Sequence, residues 1–311
     1  MNCLFGPVAS RRLGRSLGVD LLPFKTCTLD CVFCECGGTT RCTAVRADFA
    51  PVEDVIAELR AWIASGGTAD VITIAGSGEP TLHLGFGDVI RAVKAATPIP
   101  VCLLTNGTLL HLAEVRRDAA LADRVIPSLN AADEETFARV CRPNTGCTFA
   151  RHVEGLRAFA AEYRGELWLE VFVVPGINDS EDSMRRIAAL AAEMAPRKIQ
   201  LNTAVRPPAE PSVRAARHED LERLASLFTP RAEVAASFHG TASGAAGQPM
   251  DAVLALLQRR PCTIADVAGG LGIGNDDAEA CVAALRCRGL VTEERRGNET
   301  FYSAPRTDAR G

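Results

Sequence analysis

The chain has 311 residues, 47% of them apolar and 23% charged, and its formal net charge at pH 7 is −4. This apolar content excludes a wholly disordered protein, and the length allows one large domain with a small one beside it. The negative charge argues against a general nucleic-acid coat protein, although a local basic patch is compatible with it.

The amino terminus shows no sign of a secretory signal, because the short apolar stretch at residues 1–6 is followed at once by Arg11, Arg12 and Arg15. No apolar run approaches the roughly 20 residues that span a bilayer. The sequence therefore predicts a soluble, cytoplasmic protein with no membrane partner. The chain has twelve cysteines, and those outside a metal site are expected to be buried small hydrophobes rather than disulfides.

The first predicted strand comprises residues 16–22 and ends at Pro23, and the loop after it, residues 26–36, reads TCTLDCVFCEC. This loop places Cys27, Cys31 and Cys34 in the spacing C-x3-C-x2-C, with Phe33 directly before the third cysteine. Three thiolates this close repel one another unless a cation or a cluster neutralises them.

Two kinds of metal site are compatible with this spacing. A [4Fe–4S] cluster normally takes four cysteines, so three would leave one iron open for a reactant. A structural zinc site is the alternative, with Cys36 or Cys42 as the fourth ligand of a closed tetrahedron.

From residue 51 onward, helical and strand-like patterns alternate. The predicted helices are residues 51–67, 87–96, 110–122, 133–140, 149–163 and 180–194, and the predicted strands are residues 71–76, 101–105, 124–129, 167–174 and 198–205. Short apolar strands joined by helices are typical of a buried parallel sheet. Together with the first strand they make about six β–α units, two fewer than a closed barrel. The sequence therefore predicts an α/β fold, a partial (β/α)6 TIM-like barrel.

In such a barrel, ligands bind at the loops that follow the strands. The second strand is followed by the segment GSGE, residues 76–79, in which glycines let the backbone approach a ligand and Glu79 offers a carboxylate to an ammonium group. The third strand is followed by Asn106 and the fourth by Ser128, although Asn-Gly is also a common turn dipeptide. Beyond the last strand, Asn202 and Arg206 are predicted to face the same mouth.

The carboxyl-terminal part has a different organisation. Residues 238–249 are rich in Gly and Ala and lack periodicity, which predicts a linker. After it come three predicted helices, at residues 250–260, 263–272 and 276–288, and a hairpin at residues 290–305. This order resembles a winged helix-turn-helix domain, residues 250–306, behind a barrel domain of residues 1–237.

Recognition of DNA by this second domain is not expected. In DNA-binding members the third helix enters the major groove with its first residues at the bases. Here those residues include Asp276, Asp277 and Glu279, which would repel phosphates. Docking of a partner or substrate is the favoured interpretation, including RNA through the arginines of the hairpin.

The C-x3-C-x2-C loop, followed by the GSGE segment about 45 residues later, resembles the radical S-adenosylmethionine (radical SAM) superfamily. The leader, residues 5–31, looks most like the branch that contains archaeal wyosine-base synthases and related iron–sulfur oxidoreductases. Ser77 departs from the Gly-Gly-Glu motif of that superfamily.

The resemblance implies a [4Fe–4S] cluster on the three cysteines and S-adenosylmethionine on its open iron. The cofactor-binding residues that it implies are Phe33, Gly76, Gly78, Glu79, Asn106 and Ser128. Glu79 would bind the amino group of S-adenosylmethionine. An external one-electron reductant of the flavodoxin or ferredoxin type would drive cleavage to a 5′-deoxyadenosyl radical, which abstracts hydrogen from a small-molecule, peptide or RNA substrate.

Two alternatives to a small-molecule or peptide enzyme stay open at this point. One is a relative that modifies tRNA, in which the winged domain binds the RNA. The other is an iron–sulfur redox regulator that binds DNA through the winged domain, in which the GSGE segment would have no purpose.

Overall fold

The computed structural model describes residues 3–10, 12–234, 249–297 and 299–305. The predicted linker, residues 238–249, lies outside the described residues except for its last position. Asn298, in the turn of the predicted hairpin, lies outside them as well.

The elements follow one another in an almost regular alternation up to residue 234. They are β1 (Leu4–Ser10), β2 (Gly14–Val19), β3 (Thr26–Cys27), β4 (Arg41–Cys42), α1 (Val52–Ala64), β5 (Val71–Ile74), α2 (Phe86–Ala96), β6 (Val101–Thr105), α3 (Ala113–Ala119), β7 (Arg124–Pro127), α4 (Glu134–Cys141), α5 (Phe149–Glu162), β8 (Glu166–Phe172), α6 (Glu181–Glu193), β9 (Lys198–Asn202), α7 (His218–Ala225) and β10 (Glu233–Val234). The carboxyl-terminal unit contains α8 (Pro249–Leu257), α9 (Ile264–Leu271), α10 (Asn275–Cys287), β11 (Thr292–Arg296) and β12 (Glu299–Ser303). Within the described residues, no helix has both the length and the apolarity that crossing a bilayer would require.

The main sheet has eight strands in the order β1-β2-β5-β6-β7-β8-β9-β10. All neighbours from β2 to β10 are parallel, and only β1 is antiparallel to its partner β2. Six of the parallel strands, β2 and β5–β9, are each followed by helical chain, which confirms the predicted partial barrel. Since β1 and β10 lie at opposite ends of the order, the barrel is open between them.

The sequence predicts one strand before the cysteine loop, but the structure has a hairpin of two. The β1–β2 register shifts between Phe5 and Val8, and Gly6 in this interval has a positive φ of 93°. Pro7 cannot donate a hydrogen bond to a ladder, so a proline is tolerated at a bulge in an edge strand. This interruption removes the alternation by which β1 would have been recognised.

Successive residues of the barrel strands point to opposite faces of the sheet. Leu17, Leu103 and Leu169 point towards the helices and belong to the largest cluster of buried apolar residues. Their neighbours Ser16 and Glu170 line a cavity of about 370 Å³ inside the barrel. The barrel therefore has an apolar outer core and a partly polar interior.

The carboxyl-terminal unit packs against both edges of the open barrel. Val8 of β1 is buried in the apolar core formed by α8, α9 and α10. Beyond β9, at the other edge, Arg206 forms an ion pair with Asp266 of α9, with an Nη2–Oδ1 distance of 3.0 Å. The winged-helix assignment of this unit remains a prediction.

Candidate metal and cofactor site

The cysteine loop is fixed by backbone hydrogen bonds from distant parts of the chain. Val32 N donates to Val140 O at the end of α4, over 3.0 Å. From beyond β9, Ala209 N donates to Cys34 O over 2.9 Å. The loop is therefore held between two elements of the barrel, and its three predicted ligands have a defined position.

The three thiols have different electrostatic environments. A hydrogen bond with Cys36, together with the charge of Lys25, lowers the pKa of Cys34 to about 5. Burial, with the charge of Glu79, raises the pKa of Cys27 to about 12. The pKa of Cys31 is raised by its hydrogen bond with Cys141 and by burial. Metal ligation requires deprotonated thiols, so binding a cluster here would release protons.

The side chains of this loop do not converge on a single point. In the part of the chain that the structure describes, no three His, Cys, Asp or Glu side chains are arranged to hold one metal ion. Cys36 forms a hydrogen bond with Cys34, and the Cys42 Sγ donates to Thr28 O over 3.8 Å. A zinc site needs four ligands around one ion, whereas the cysteines of a [4Fe–4S] cluster bind separate irons. The donor set of three neighbouring thiols fits the cluster.

Lys25 is a site residue that the sequence analysis missed. Its side chain is buried, and its Nζ donates to Cys34 Sγ over 3.0 Å. Burial lowers the pKa of Lys25, but the cysteines facing it more than offset this effect and the pKa lies above its ordinary value. The backbone has a positive φ of 52°, and its carbonyl accepts hydrogen bonds from Thr40 N and Arg41 N. The only sequence signal is a lysine two positions before the first cysteine.

The glycines of the GSGE segment are required by packing within the protein. A Cβ on Gly76 would lie 2.1 Å from the carboxylate of Asp20, and one on Gly78 would lie 2.0 Å from Thr26 O. Ser77 donates to Asp20 Oδ2 from both its backbone N and its Oγ, each over 3.1 Å. The segment is thereby held against the end of β2 and the start of the cysteine loop.

Glu79 is buried and accepts four hydrogen bonds. Its Oε1 accepts from Thr81 N (3.1 Å), Thr81 Oγ1 (2.5 Å) and Thr105 Oγ1 (2.6 Å), and its Oε2 accepts from Asn106 N (2.7 Å). Burial raises the pKa of Glu79 although these bonds oppose the rise. The carboxylate thus joins its own segment to the end of β6, and its contact with S-adenosylmethionine remains a prediction.

Asn106 connects the cysteine loop with the GSGE segment. Its Nδ2 donates to Thr28 Oγ1 over 2.8 Å and to Cys27 Sγ over 3.5 Å, while its backbone N donates to Glu79. Ser128 lies at the end of the next strand, where its N donates to Thr105 O over 3.2 Å. The predicted residues after three consecutive parallel strands therefore lie at one end of the barrel.

Phe33 and Arg206 lie beside the barrel cavity. The Phe33 ring stacks on Phe172 with a centroid distance of 3.9 Å and an interplanar angle of 13°. The cavity is also lined by Cys34 and Gly76 at this end, as well as by Asn202 and Arg206 as predicted. Arg206 is 5% exposed and forms an ion pair with Glu35, between Cys34 and Cys36, at an Nη1–Oε2 distance of 2.9 Å.

Comparison with known proteins identifies related sequences and folds. The family model described as Radical SAM superfamily matches residues 21–188, just over half of the chain. A Brachyspira hyodysenteriae protein named GTPase Obg is 36% identical over 295 residues, which cover 94% of this chain and 43% of that protein. A UPF0026 protein of Methanocaldococcus jannaschii is 32% identical over 230 residues, which cover 73% of this chain and 71% of that protein.

Among solved structures, TYW1 with a lysine-pyruvate adduct bound has a similar fold. The TM-score is 0.52 at 18% identity, and the match covers 73% of this chain and 76% of that chain. At this identity the likeness shows the fold alone. The chain spans less than half the length of the Brachyspira relative.

Proposed function

The chain belongs to the radical SAM superfamily, and on this premise we propose that it binds a [4Fe–4S] cluster through Cys27, Cys31 and Cys34 and cleaves S-adenosylmethionine reductively. The bound cluster would supply the electron for cleavage to a 5′-deoxyadenosyl radical, which abstracts hydrogen from a substrate. The reductant is an external one-electron donor of the flavodoxin or ferredoxin type.

The observation that carries this proposal is the hydrogen bonding of Asn106. Its side chain contacts Cys27 of the proposed cluster site and its backbone contacts Glu79 of the proposed cofactor loop. A zinc knuckle has no need of a buried carboxylate loop fixed to one of its cysteines. By contrast, a site that binds a cluster together with a second ligand requires a constant distance between the cysteine loop and the GSGE segment.

The barrel residues position the reactants and exclude water. Phe33 and Phe172 form an apolar stack on the cavity wall beside Cys34. A radical needs such shielding, because bulk solvent and stray side chains would quench it. Gly76 lines the cavity, so its backbone is available to a ligand at this point.

The structure also bears on the nucleic-acid alternatives. Residues 248–311 contain eight arginines and nine acidic residues, so this region is not basic. Arg296, at the end of β11, donates to Val213 O and to Arg206 O of the barrel, and Arg286 forms an ion pair with Glu293. Two of the arginines that would contact RNA or DNA are thus engaged within the protein. This favours a small-molecule or peptide substrate.

The test is an anaerobic cleavage assay. The cluster is reconstituted, dithionite and S-adenosylmethionine are added, and 5′-deoxyadenosine is measured by chromatography. We expect the product from the wild type and from Cys287→Ala, which alters an exposed cysteine of α10, but not from Cys31→Ala. Uptake of zinc without iron and sulfide would overturn the proposal, as would a reducible cluster that yields no product with any candidate substrate, tRNA included.

A further inference from the structure

The inner face of β9 places polar side chains inside the barrel. Ile199 and Leu201 belong to the apolar core under the helices. Successive residues of a strand point to opposite faces of the sheet, so Gln200 and Asn202 point inward. Asn202 lines the barrel cavity, and so does Glu170, which is the partner of Gln200 in the register of β8 and β9. Gln200 therefore lies one layer of inward-facing residues further from the cysteine loop than Asn202.

The side chain of Gln200 carries a polar atom that the protein does not satisfy. The residue is 4% exposed, and among the described residues its Oε1 has no hydrogen-bond partner. A buried acceptor left unpaired lowers the stability of a protein, and such atoms are rare in folded proteins. A ligand that donates a hydrogen bond to Gln200 Oε1 would remove this cost.

Asn202 offers the complementary group. Its Oδ1 accepts from Thr203 N over 3.0 Å, so its Nδ2 is the part of the side chain that can donate to a ligand. Residues two apart on a strand are separated by about 7 Å, a distance that one amide group and its two hydrogen bonds of about 2.9 Å can bridge. One strand can thus bind a group that has both a donor and an acceptor.

The neighbouring charges of the cavity are already paired. Arg12 forms an ion pair with Glu170, and Arg206 forms ion pairs with Glu35 and Asp266. A charged ligand group would have to compete with these pairs, whereas an uncharged group leaves them intact. The ligand group at this position is therefore expected to be neutral.

We propose that Gln200 and Asn202 bind an uncharged amide group of the substrate. The N–H of this group donates to Gln200 Oε1, and its carbonyl oxygen accepts from Asn202 Nδ2. This inference rests on the proposed function, since it names the class of molecule on which that function acts.

The position of this site suits a substrate of the proposed reaction. Asn202 is the register partner of Phe172, whose ring stacks on Phe33 of the cysteine loop. At the open side of the barrel, the same cavity is lined by Leu256 of α8. An amide held at Gln200 would therefore be enclosed one layer below the aromatic pair, and the rest of the substrate would extend towards the proposed cluster.

The first test follows the side-chain amide of Gln200 by nuclear magnetic resonance. The sequence has three glutamines, Gln200, Gln248 and Gln258, so labelling glutamine with ¹⁵N gives the reconstituted protein a simple side-chain spectrum, in which Gln200→Met identifies the signals of Gln200. Acetamide and N-methylacetamide are the probes, and acetone and acetate are the controls. We expect either amide to shift the Gln200 signals until saturation and to leave those of Gln258 unchanged. Acetone has the shape of acetamide but no donor, and a site built for an N–H group rejects such an analogue.

The pattern of shifts assigns the kind of amide. Saturation by acetamide alone indicates a primary amide, and saturation by N-methylacetamide indicates a peptide-type amide. In Asn202→Leu, the concentration that gives half-saturation should rise by about tenfold, the effect of one hydrogen bond. The proposal is overturned if neither amide shifts the Gln200 signals, if acetone or acetate shifts them as much, or if Asn202→Leu leaves half-saturation unchanged.

The second test measures the unpaired acceptor itself. Gln200→Met replaces the amide by an unbranched apolar side chain of similar length and should raise the melting temperature of the ligand-free reconstituted protein by about 2–4 °C. Asn178 is the matched control, because it is equally buried but satisfied: its Nδ2 donates to Asn130 O (2.9 Å) and Phe172 O (2.8 Å), and its Oδ1 accepts from Val174 N (2.7 Å). Asn178→Leu should therefore lower the melting temperature.

If the melting temperature of Gln200→Met falls or stays the same, the amide already has a partner, such as a bound water, and the proposal is overturned. Neither test requires cleavage of S-adenosylmethionine, so failure of the proposed function and failure of this inference are distinguishable.

Discussion

Lys25 brings a buried positive charge into contact with one of the proposed cluster ligands. A cation and an N–H donor beside a ligating sulfur stabilise the more reduced and therefore more negative cluster. Lys25→Met should lower the reduction potential by on the order of 60–120 mV, the one-electron equivalent of a charged hydrogen bond.

The measurement is a redox titration of the reconstituted protein followed by electron paramagnetic resonance. Lys25→Arg keeps the charge and should retain most of the potential, while Lys94→Met removes an exposed lysine of α2 and should leave it unchanged. An unchanged potential in Lys25→Met would show that the contact does not tune the cluster.

Glu79 has a structural role that can be measured separately from its proposed role in cofactor binding. In Glu79→Gln, an NH₂ group replaces one carboxylate oxygen. This group is itself a donor, so it cannot accept the hydrogen bond that an N–H or O–H group gives to that oxygen in the wild type. We expect the free energy of unfolding to fall by about 1–3 kcal/mol, in denaturant titrations of the protein without cofactor.

Glu53→Gln changes an exposed carboxylate of α1 and is the matched control. Its effect should stay within about 0.5 kcal/mol. Equal stability of the two variants would mean that the four donors around Glu79 find other partners at no cost.

At the scale of the elements, the docking of α9 depends on the ionisation of Asp266. Burial raises the pKa of Asp266, but the charge of Arg206 and the backbone N–H of Thr263 outweigh it, and the pKa lies below its ordinary value. A carboxyl whose pKa is depressed by folding contributes stability that is complete above its unfolded pKa of about 3.9 and is lost as the pH falls through the folded value.

Asp266→Asn should therefore lower the free energy of unfolding by about 2 kcal/mol, a value reduced because Asp266 is partly exposed. The difference from the wild type should be constant between about pH 5 and 8 and should shrink below about pH 4. Denaturant titrations across this range measure it, with Asp251→Asn on the exposed face of α8 as the control. A difference that persists undiminished in acid would rule out the ion pair as its cause.

The agreement between sequence and structure differs from one element to another for physical reasons. The strand predicted at residues 101–105 is β6 with the same bounds, because a short apolar run between a proline and Asn-Gly has few alternatives. The helix predicted at residues 110–122 is only Ala113–Ala119, since Leu110 N and Leu112 N bond in turns with Gly107 O and Leu109 O.

At the candidate site, too, features that depend on neighbouring residues could be predicted from the sequence, and contacts between distant residues could not. The spacing of Cys27, Cys31 and Cys34 is local and is visible in the sequence. The contact between Arg206 and Glu35 joins residues 171 positions apart, and no local sequence pattern predicts it. Lys25 was missed for this reason, because its importance comes from what the fold places around it.

For the molecule as a whole, the carboxyl-terminal unit has the position that additional strands would occupy in a closed barrel. It contacts β1 through a buried apolar core and the segment after β9 through Arg206. A six-unit barrel would otherwise leave its cavity open at the side. The unit therefore acts as part of the barrel wall, whatever further partner it has.

This arrangement predicts that the two parts of the chain unfold together. Val8 is 7% exposed and packs in the core of the carboxyl-terminal unit, so Val8→Asp would bury an unpaired charge where the two parts meet. We expect differential scanning calorimetry to show one transition for the wild type and two for Val8→Asp, the earlier one at least several degrees lower. Val45→Asp introduces the same charge at a position that is 70% exposed and should keep the single transition. Two well-separated transitions in the wild type would mean that the two parts unfold independently. The contact between the carboxyl-terminal unit and the barrel would then add little stability to either part.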